Sequence, residues 1–132
     1  MRRAVLADTG PLYAANDEGD SYHPRAVEDL KKFAREGCEV LIAYPILLEG
    51  YSLVLKRLGK SAAGDWLAEV SNSSFVNPTS EDYSRAFVRI HALADQSITL
   101  VDATVAVLAD RLGLPVWTYD HHFDVMRVSV WR

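Results

Sequence analysis

The sequence predicts one α/β domain that spans residues 1–132 and is built on a central, mostly parallel sheet. The first observation is that short apolar segments without polar alternation recur along the chain, which is typical of strands buried on both faces. The second is that segments with apolar residues at helical spacing separate them. Because strands alternate with helices from end to end, we expect parallel strands with helices on both faces of the sheet.

Five segments are predicted to be strands: residues 5–7, 40–42, 75–76, 116–119 and 128–130. The first is expected to be central in the sheet and the last to lie at an edge. Gly10 and Pro11 end the first strand, and Pro11 suits the first turn of the helix that follows. Asp8 is therefore predicted at the carboxyl end of a central strand, the edge of an open α/β sheet where ligands bind.

The helices are predicted from their caps, their apolar spacing and their stop residues. They are expected over residues 12–15, from Pro24 to Gly37, from Pro45 to Gly59, from a Ser61 cap to Val70, from a cap at Thr79 or Ser80 to Leu93, and over Leu100–Leu112. The last helix is apolar over most of its circumference, so we expect it to be deeply buried. Residues 95–97 are predicted to be a loop, and residues 120–124 a turn or short helix.

Composition excludes several classes of protein. The formal net charge of −4 argues against a broad electrostatic contact with nucleic acid, although not against a local one. The single cysteine, Cys38, has no disulfide partner and no zinc-ligand spacing around it, which favours a reducing cytoplasm. No apolar segment is long enough to cross a membrane.

Two acidic residues follow predicted strands directly. Asp8 ends the first strand and Asp120 ends the strand at residues 116–119. Each also has an ordinary structural role available, since Asp is a good helix cap and a common turn residue. The repetition of an acid at the carboxyl end of a strand favours a site.

Two further acids come early in predicted helices. Glu49 lies opposite the apolar stripe of its helix, which favours a solvated side chain; that stripe is Leu47, Tyr51, Val54 and Leu58. It nevertheless follows a strand and so comes near the same sheet edge as Asp8. Asp102 stands three residues after Thr99, which is capping-box spacing, but its apolar neighbours indicate a buried helix in which a carboxylate needs a partner or a metal.

Four acids from four distant segments would repel one another if crowded together, and a divalent cation is the usual remedy. Oxygen ligands favour Mg²⁺ or Mn²⁺ over zinc or copper. Asp124 is either a further member of the group or a surface acid. His121 and His122 are adjacent, which is unsuited to binding one ion jointly, so they are interpreted as exposed or substrate-facing.

Four segments in this order resemble the PIN domain, and within that group the VapC-type toxins of bacterial and archaeal toxin–antitoxin pairs. They are residues 5–12 (VLADTGPL), 45–49 (PILLE), 97–103 (SITLVDA) and 116–123 (VWTYDHHF). The resemblance covers almost the whole chain. It implies a PIN-like three-layer fold with a central, mostly parallel sheet of about five strands flanked by helices.

The resemblance also implies a function, that of a metal-dependent endoribonuclease. The acidic quartet of the family corresponds to Asp8, Glu49, Asp102 and Asp120, its strand-end hydroxyls to Thr9 and Thr118, and its variable fifth acid to Asp124. The implied cofactor is Mg²⁺ or Mn²⁺, which activates a water for attack on an RNA phosphodiester bond.

The implied partners are an RNA substrate, a cognate antitoxin protein and a second copy of the chain in a homodimer, all in the cytoplasm. Two alternatives stay open. One is a non-catalytic interaction module with the same fold, in which the acids are caps and turn residues. The other is a Mg²⁺-dependent phosphatase or phosphotransfer domain, although Gly10 stands where an aspartyl-phosphate phosphatase needs a second acid.

Overall fold

A computed structural model describes residues 3–94 and 97–132, and their strands form one sheet in the order β3-β2-β1-β4-β5. All the neighbouring strands are parallel. The strands are β1 (Arg3–Ala7), β2 (Cys38–Ala43), β3 (Ser74–Val76), β4 (Val116–Trp117) and β5 (Val130–Trp131). The prediction of an α/β fold with a central first strand and an edge last strand is confirmed.

Helices connect and flank the strands. They are α1 (Thr9–Ala14), α2 (His23–Glu36), α3 (Tyr44–Leu58), α4 (Lys60–Val70), α5 (Ser80–His91), α6 (Leu100–Leu112) and α7 (His122–Val125). Of the loop predicted over 95–97, only Ser97 lies among the described residues. None of the helices in the described ranges combines the length and apolar character that crossing a membrane requires.

The strand order reverses between β1 and β4, and this position determines where the site forms. Leu6 pairs with Val116 and Ala7 with Trp117. The amide of Asp8 continues this pairing by donating to the carbonyl of Trp117 at 3.0 Å. The residues that follow β1 and β4 are therefore neighbours at the carboxyl edge of the sheet, which is the usual ligand position in open α/β folds.

Helix α6 has the predicted bounds and the predicted burial. Thr99 caps it, Gly113 ends it in the left-handed region (φ 67°), and every residue from Asp102 to Ala109 is buried. Leu108 and Ala106 are fully inaccessible. The helix is therefore a rigid base for the acid in its first turn.

The predicted cap of α4 is wrong: it is Gly59 rather than Ser61, with φ 94°, a conformation that glycine adopts without a Cβ clash. The apolar stripe predicted for α3 is confirmed in part, since Val54 is buried and Leu47 and Tyr51 pack against the core, whereas Leu58 is exposed. Ile46 and Gly50 extend the buried face, and the ring of Trp66 in α4 packs so closely on Gly50 that a Cβ there would lie 2.7 Å from it.

Candidate functional site

Asp8 occupies the centre of the carboxyl edge. The residue is 5% exposed. The backbone amide of Thr9 donates to Oδ1 at 2.9 Å, and the hydroxyl of Thr118 donates to Oδ2 at 2.8 Å. Asp8 is thus both the cap of α1 and a carboxylate bonded to the end of the neighbouring strand.

The pKa of Asp8 is raised from 3.8 to about 7. Burial is the largest cause, followed by the nearby charge of Asp120, while Asp102 adds a smaller effect in the same direction. The hydrogen bonds from Thr118 and Thr9 lower the pKa of Asp8, but they do not offset the effects that raise it. A carboxyl with this pKa signals that like charges have been brought together in a water-poor place, which is common at functional sites.

Glu49 reaches the site from α3. The hydroxyl of Thr9 donates to its Oε1 at 2.6 Å. Glu49 is exposed, as its position on the helix favours. The bond from Thr9 nevertheless places it near Asp8, as expected for a residue early in a helix that follows a strand.

Asp102 combines a structural role with a place in the site. Its Oδ2 accepts from the Thr99 amide at 3.0 Å, and its own amide donates to the Thr99 hydroxyl at 3.2 Å, so the predicted capping box is present. The same Oδ2 lies 3.0 Å from Nδ1 of His122. The side chain is 11% exposed.

Asp120 is partly exposed and stands three positions after the end of β4, which is shorter than the strand predicted over 116–119. Its amide donates to the Thr118 hydroxyl at 3.3 Å, and its Oδ1 accepts from the amide of His122 at 2.9 Å. This turn carries the His122 ring back toward Asp102, with Nδ1 3.6 Å from Oδ2 of Asp120. Nε2 of the same ring lies 3.2 Å from the Ser97 hydroxyl.

The two adjacent histidines differ in their surroundings. His121 is exposed, whereas the side chain of His122 is 18% exposed, lies between two acids and lines the cavity they share, which fits the substrate-facing alternative. A turn in which Asp120 accepts from the amide two positions later is common for Asp, and it was the available signal that the ring could fold back.

One cavity of about 240 Å³ joins these groups. Its walls carry all four acids of the quartet together with Thr9 and His122; the lining residues are Asp8, Thr9, Gly10, Glu49, Leu53, Thr99, Asp102, Asp120 and His122. Thr118 lies behind it, against Asp8. Larger cavities of about 650 and 300 Å³ lie elsewhere, and no acid of the quartet lines them.

Asp124 is in a different setting. It does not line this cavity, and its Oδ2 lies 2.6 Å from the guanidinium of Arg132 in an ion pair with both side chains about half exposed. The structure therefore brings together the predicted quartet and both hydroxyls, and it gives Asp124 an ion-pair partner instead.

The donor set consists of carboxylate and hydroxyl oxygens with one imidazole, which suits a hard divalent cation. With the side chains in these rotamers, no three His, Cys, Asp or Glu groups within residues 3–94 and 97–132 converge at ligand distances. Each buried carboxylate is bonded instead to a hydroxyl, an amide or His122. The residues fit a divalent cation by their chemistry and by their common cavity.

Three solved structures have closely similar folds. VapC20 of Mycobacterium tuberculosis, described as a toxin that cleaves the sarcin-ricin loop, superposes with a TM-score of 0.83 at 21% identity, over 97% of this chain and 98% of that one. VapBC2 of Rickettsia felis, bound to a DNA fragment from its promoter, gives 0.75 at 14% identity, over 98% and 97%. FitAcB of Neisseria gonorrhoeae gives 0.71 at 18% identity, over 97% and 96%.

The chain has the PIN-like α/β fold of VapC-type toxins, along its whole described length. This confirms the resemblance at the level of the fold. A scan against family models and a search of curated proteins both give no match.

Proposed function

We propose that this protein is a divalent-metal-dependent endoribonuclease and the toxin of a toxin–antitoxin pair. The observation that carries the proposal is the convergence of Asp8, Glu49, Asp102 and Asp120 on one cavity at the carboxyl edge of a parallel sheet. The fold likeness to a toxin described as cleaving the sarcin-ricin loop supports the same activity class.

In this proposal Asp8, Glu49, Asp102 and Asp120 would hold Mg²⁺ or Mn²⁺. Bound there, the cation would supply a reactive water and neutralise charge on the scissile phosphate. Asp124, paired with Arg132, is outside this ligand set.

The protein's own groups prepare the site for that chemistry. Thr118 and the Thr9 amide fix the two oxygens of Asp8, and the Thr9 hydroxyl orients Glu49. The pKa of Asp8 is about 7 in the metal-free protein, so a bound cation would displace a proton from this carboxyl near neutral pH.

An antitoxin protein is the partner in this proposal, and the electrostatics of the cavity support it. An uncontrolled ribonuclease would damage its host, and a cavity of crowded carboxylates is a good receptor for an arginine side chain, whose guanidinium can bind carboxylates in a bidentate manner. We propose that the partner inserts a basic side chain among Asp8, Asp102 and Asp120, which would both inhibit the enzyme and relieve the repulsion between the acids. A homodimer in the cytoplasm is the assembly that the resemblance implies.

A non-catalytic interaction domain is the second candidate. It is favoured by the fact that three of the acids have structural duties: Asp8 caps α1, Asp102 completes a capping box, and Asp120 forms a turn. An interaction domain would retain these duties without requiring a metal.

Cleavage of a mixed RNA panel by the purified protein separates the candidates. The reactions contain Mg²⁺, Mn²⁺ or chelator, beside an Asp8→Asn, Asp102→Asn double variant. A ribonuclease of the proposed kind cuts at least one RNA with metal, and loses cutting in chelator and in the variant. A folded protein that neither cuts RNA nor binds Mn²⁺ would be an interaction domain.

A further inference from the structure

A second group of residues lies beside the acidic cavity and has no role in the chemistry proposed above. The rings of Tyr22 and Tyr119 stack with their centroids 4.9 Å apart and their planes 26° from parallel. The guanidinium carbon of Arg25 lies 4.4 Å from the centroid of the Tyr119 ring. We refer to Tyr22, Tyr119 and Arg25 as the aromatic platform.

Tyr119 connects the aromatic platform to the acidic cavity, because its two neighbours in the sequence belong to the site. Tyr119 stands between Thr118, which donates to Asp8, and Asp120, which lines the cavity. All three follow β4 at the point where the strand order of the sheet reverses. A nucleotide on the platform would therefore be near a phosphate in the cavity.

The Tyr119 side chain is fixed in position by a hydrogen bond and by a ring contact. Its hydroxyl donates to Oδ2 of Asp29 at 2.6 Å, and the same oxygen accepts from Nε1 of Trp117 at 3.0 Å. Trp117 also meets the Tyr119 ring edge to face at 6.3 Å. A ring fixed in this way loses little conformational entropy when a ligand binds.

The outer part of the platform is available to a ligand. Tyr22 is 44% exposed although one of its faces packs on Tyr119. Arg25 is exposed, and in the described ranges its guanidinium makes no ion pair, whereas Arg35 on the same helix is paired with Glu28. An exposed aromatic ring beside an unpaired guanidinium is the combination that binds a base and its phosphate in single-stranded nucleic acids.

We propose that Tyr22 stacks on a nucleobase of single-stranded substrate RNA, and that Arg25 binds a phosphate of the same strand. This inference rests on the proposed ribonuclease function for its substrate. It explains how a protein with a net charge of −4 holds RNA next to four acids: the attraction is local and lies on the β4 side of the site.

Binding of a fluorescein-labelled single-stranded RNA 12-mer of mixed sequence, followed by fluorescence anisotropy, tests the platform. Asp8→Asn serves as the background to prevent cleavage, since Asn keeps the cap of α1. In this background Tyr22→Ala is expected to weaken binding by about fivefold or more, the usual effect of losing one stacked base. Tyr22→Phe retains the ring and is expected to bind as the background protein does.

Tyr44 provides a matched control. It is also 44% exposed and also stacks on an aromatic ring, that of Phe75, with centroids 5.4 Å apart. It lies on the β2 and β3 side of the sheet, away from β4. Tyr44→Ala should leave RNA affinity unchanged.

The phosphate contact is tested by salt dependence. Arg25→Gln is expected to reduce the slope of log Kd against log salt by about 1, as removal of one phosphate contact does. Arg35→Gln, which removes an already paired charge from the same helix, should leave the slope unchanged.

Different results would contradict the aromatic platform and the proposed ribonuclease function. Equal affinities for Tyr22→Ala and Tyr44→Ala, or no RNA binding by the background protein, would overturn the platform even if the unsubstituted protein cuts RNA. Tyr22-dependent binding without any metal-dependent cutting would support the platform and reject the ribonuclease.

Discussion

The hydroxyl of Thr118 donates a 2.8 Å hydrogen bond to Oδ2 of Asp8, across 110 positions of sequence. The bond joins the ends of β4 and β1, the two strands between which the sheet order reverses. It also lowers the pKa of Asp8 against the larger effects of burial and of Asp120. Thr118 thus keeps more of Asp8 ionised near neutral pH than its surroundings alone would allow.

Replacing Thr118 with Val should move the pH dependence of Mn²⁺ binding, measured by calorimetric titration. Loss of a hydrogen bond worth roughly 1 kcal/mol raises the pKa of Asp8 in the metal-free protein further, so the rise of Mn²⁺ affinity with pH should shift upward by roughly half to one pH unit. The matched control is Thr104→Val, since Thr104 is also 2% exposed but bonds to the carbonyl of Leu100 within α6. A Thr118→Val profile that coincides with the Thr104→Val profile would contradict this role.

Asp8→Asn should stabilise the protein at neutral and alkaline pH in chelator. A carboxyl whose folded pKa is about 7 and whose ordinary value is 3.8 holds its proton more tightly when folded. The contribution of Asp8 to stability is therefore greatest below pH 4 and is lost as the pH rises to about 7. Asn carries no charge, so the gain in the free energy of unfolding should grow over that range to a plateau on the order of a few kcal/mol.

Urea unfolding at a series of pH values measures that gain. The control is Asp65→Asn, which removes an exposed carboxyl from α4. Its stability should run parallel to that of the unsubstituted protein. If Asp8→Asn also runs parallel between pH 4 and pH 8, the crowding of acids around Asp8 is not as inferred.

Gly50→Ala should destabilise the fold, because the new Cβ would lie 2.7 Å from the ring of Trp66. Overpacking of this kind costs about 1–3 kcal/mol. Gly64→Ala is the matched control: it adds a methyl group to the neighbouring helix α4 with no heavy atom within 4 Å. Since Ala favours helix, it should add about 0.5–1 kcal/mol. Thermal unfolding compares the melting temperatures of Gly50→Ala and Gly64→Ala. Equal values would contradict the prediction and would show that α3 and α4 can move apart to accommodate the new methyl group.

Features set by local chemistry were predictable from the sequence. The Thr99 cap, the Asp102 capping box and the Gly113 stop determine the bounds of α6, and they involve residues close in sequence. Asp8 at the end of a central strand was equally accessible, because an apolar run followed by Gly-Pro identifies both the strand and its end.

The features that the sequence leaves open depend on contacts between distant segments. Trp66 packs closely on Gly50, and no pattern within α3 indicates this contact. The bond from Thr9 to Glu49 likewise joins residues 40 positions apart. His122 bonds to Asp102, 20 positions earlier, through a turn whose direction the sequence leaves open.

Calorimetric titration of Mn²⁺ into the purified protein tests the central claim most directly. Three proteins are compared at pH 8: the unsubstituted chain, Asp8→Asn and Asp124→Asn. We predict that the unsubstituted chain and Asp124→Asn bind Mn²⁺ with equal affinity, since Asp124 is paired with Arg132 away from the cavity, and that Asp8→Asn binds at least tenfold more weakly. Equal binding by Asp8→Asn and the unsubstituted chain, or no binding by either, would contradict a metal site at the carboxyl edge of β1.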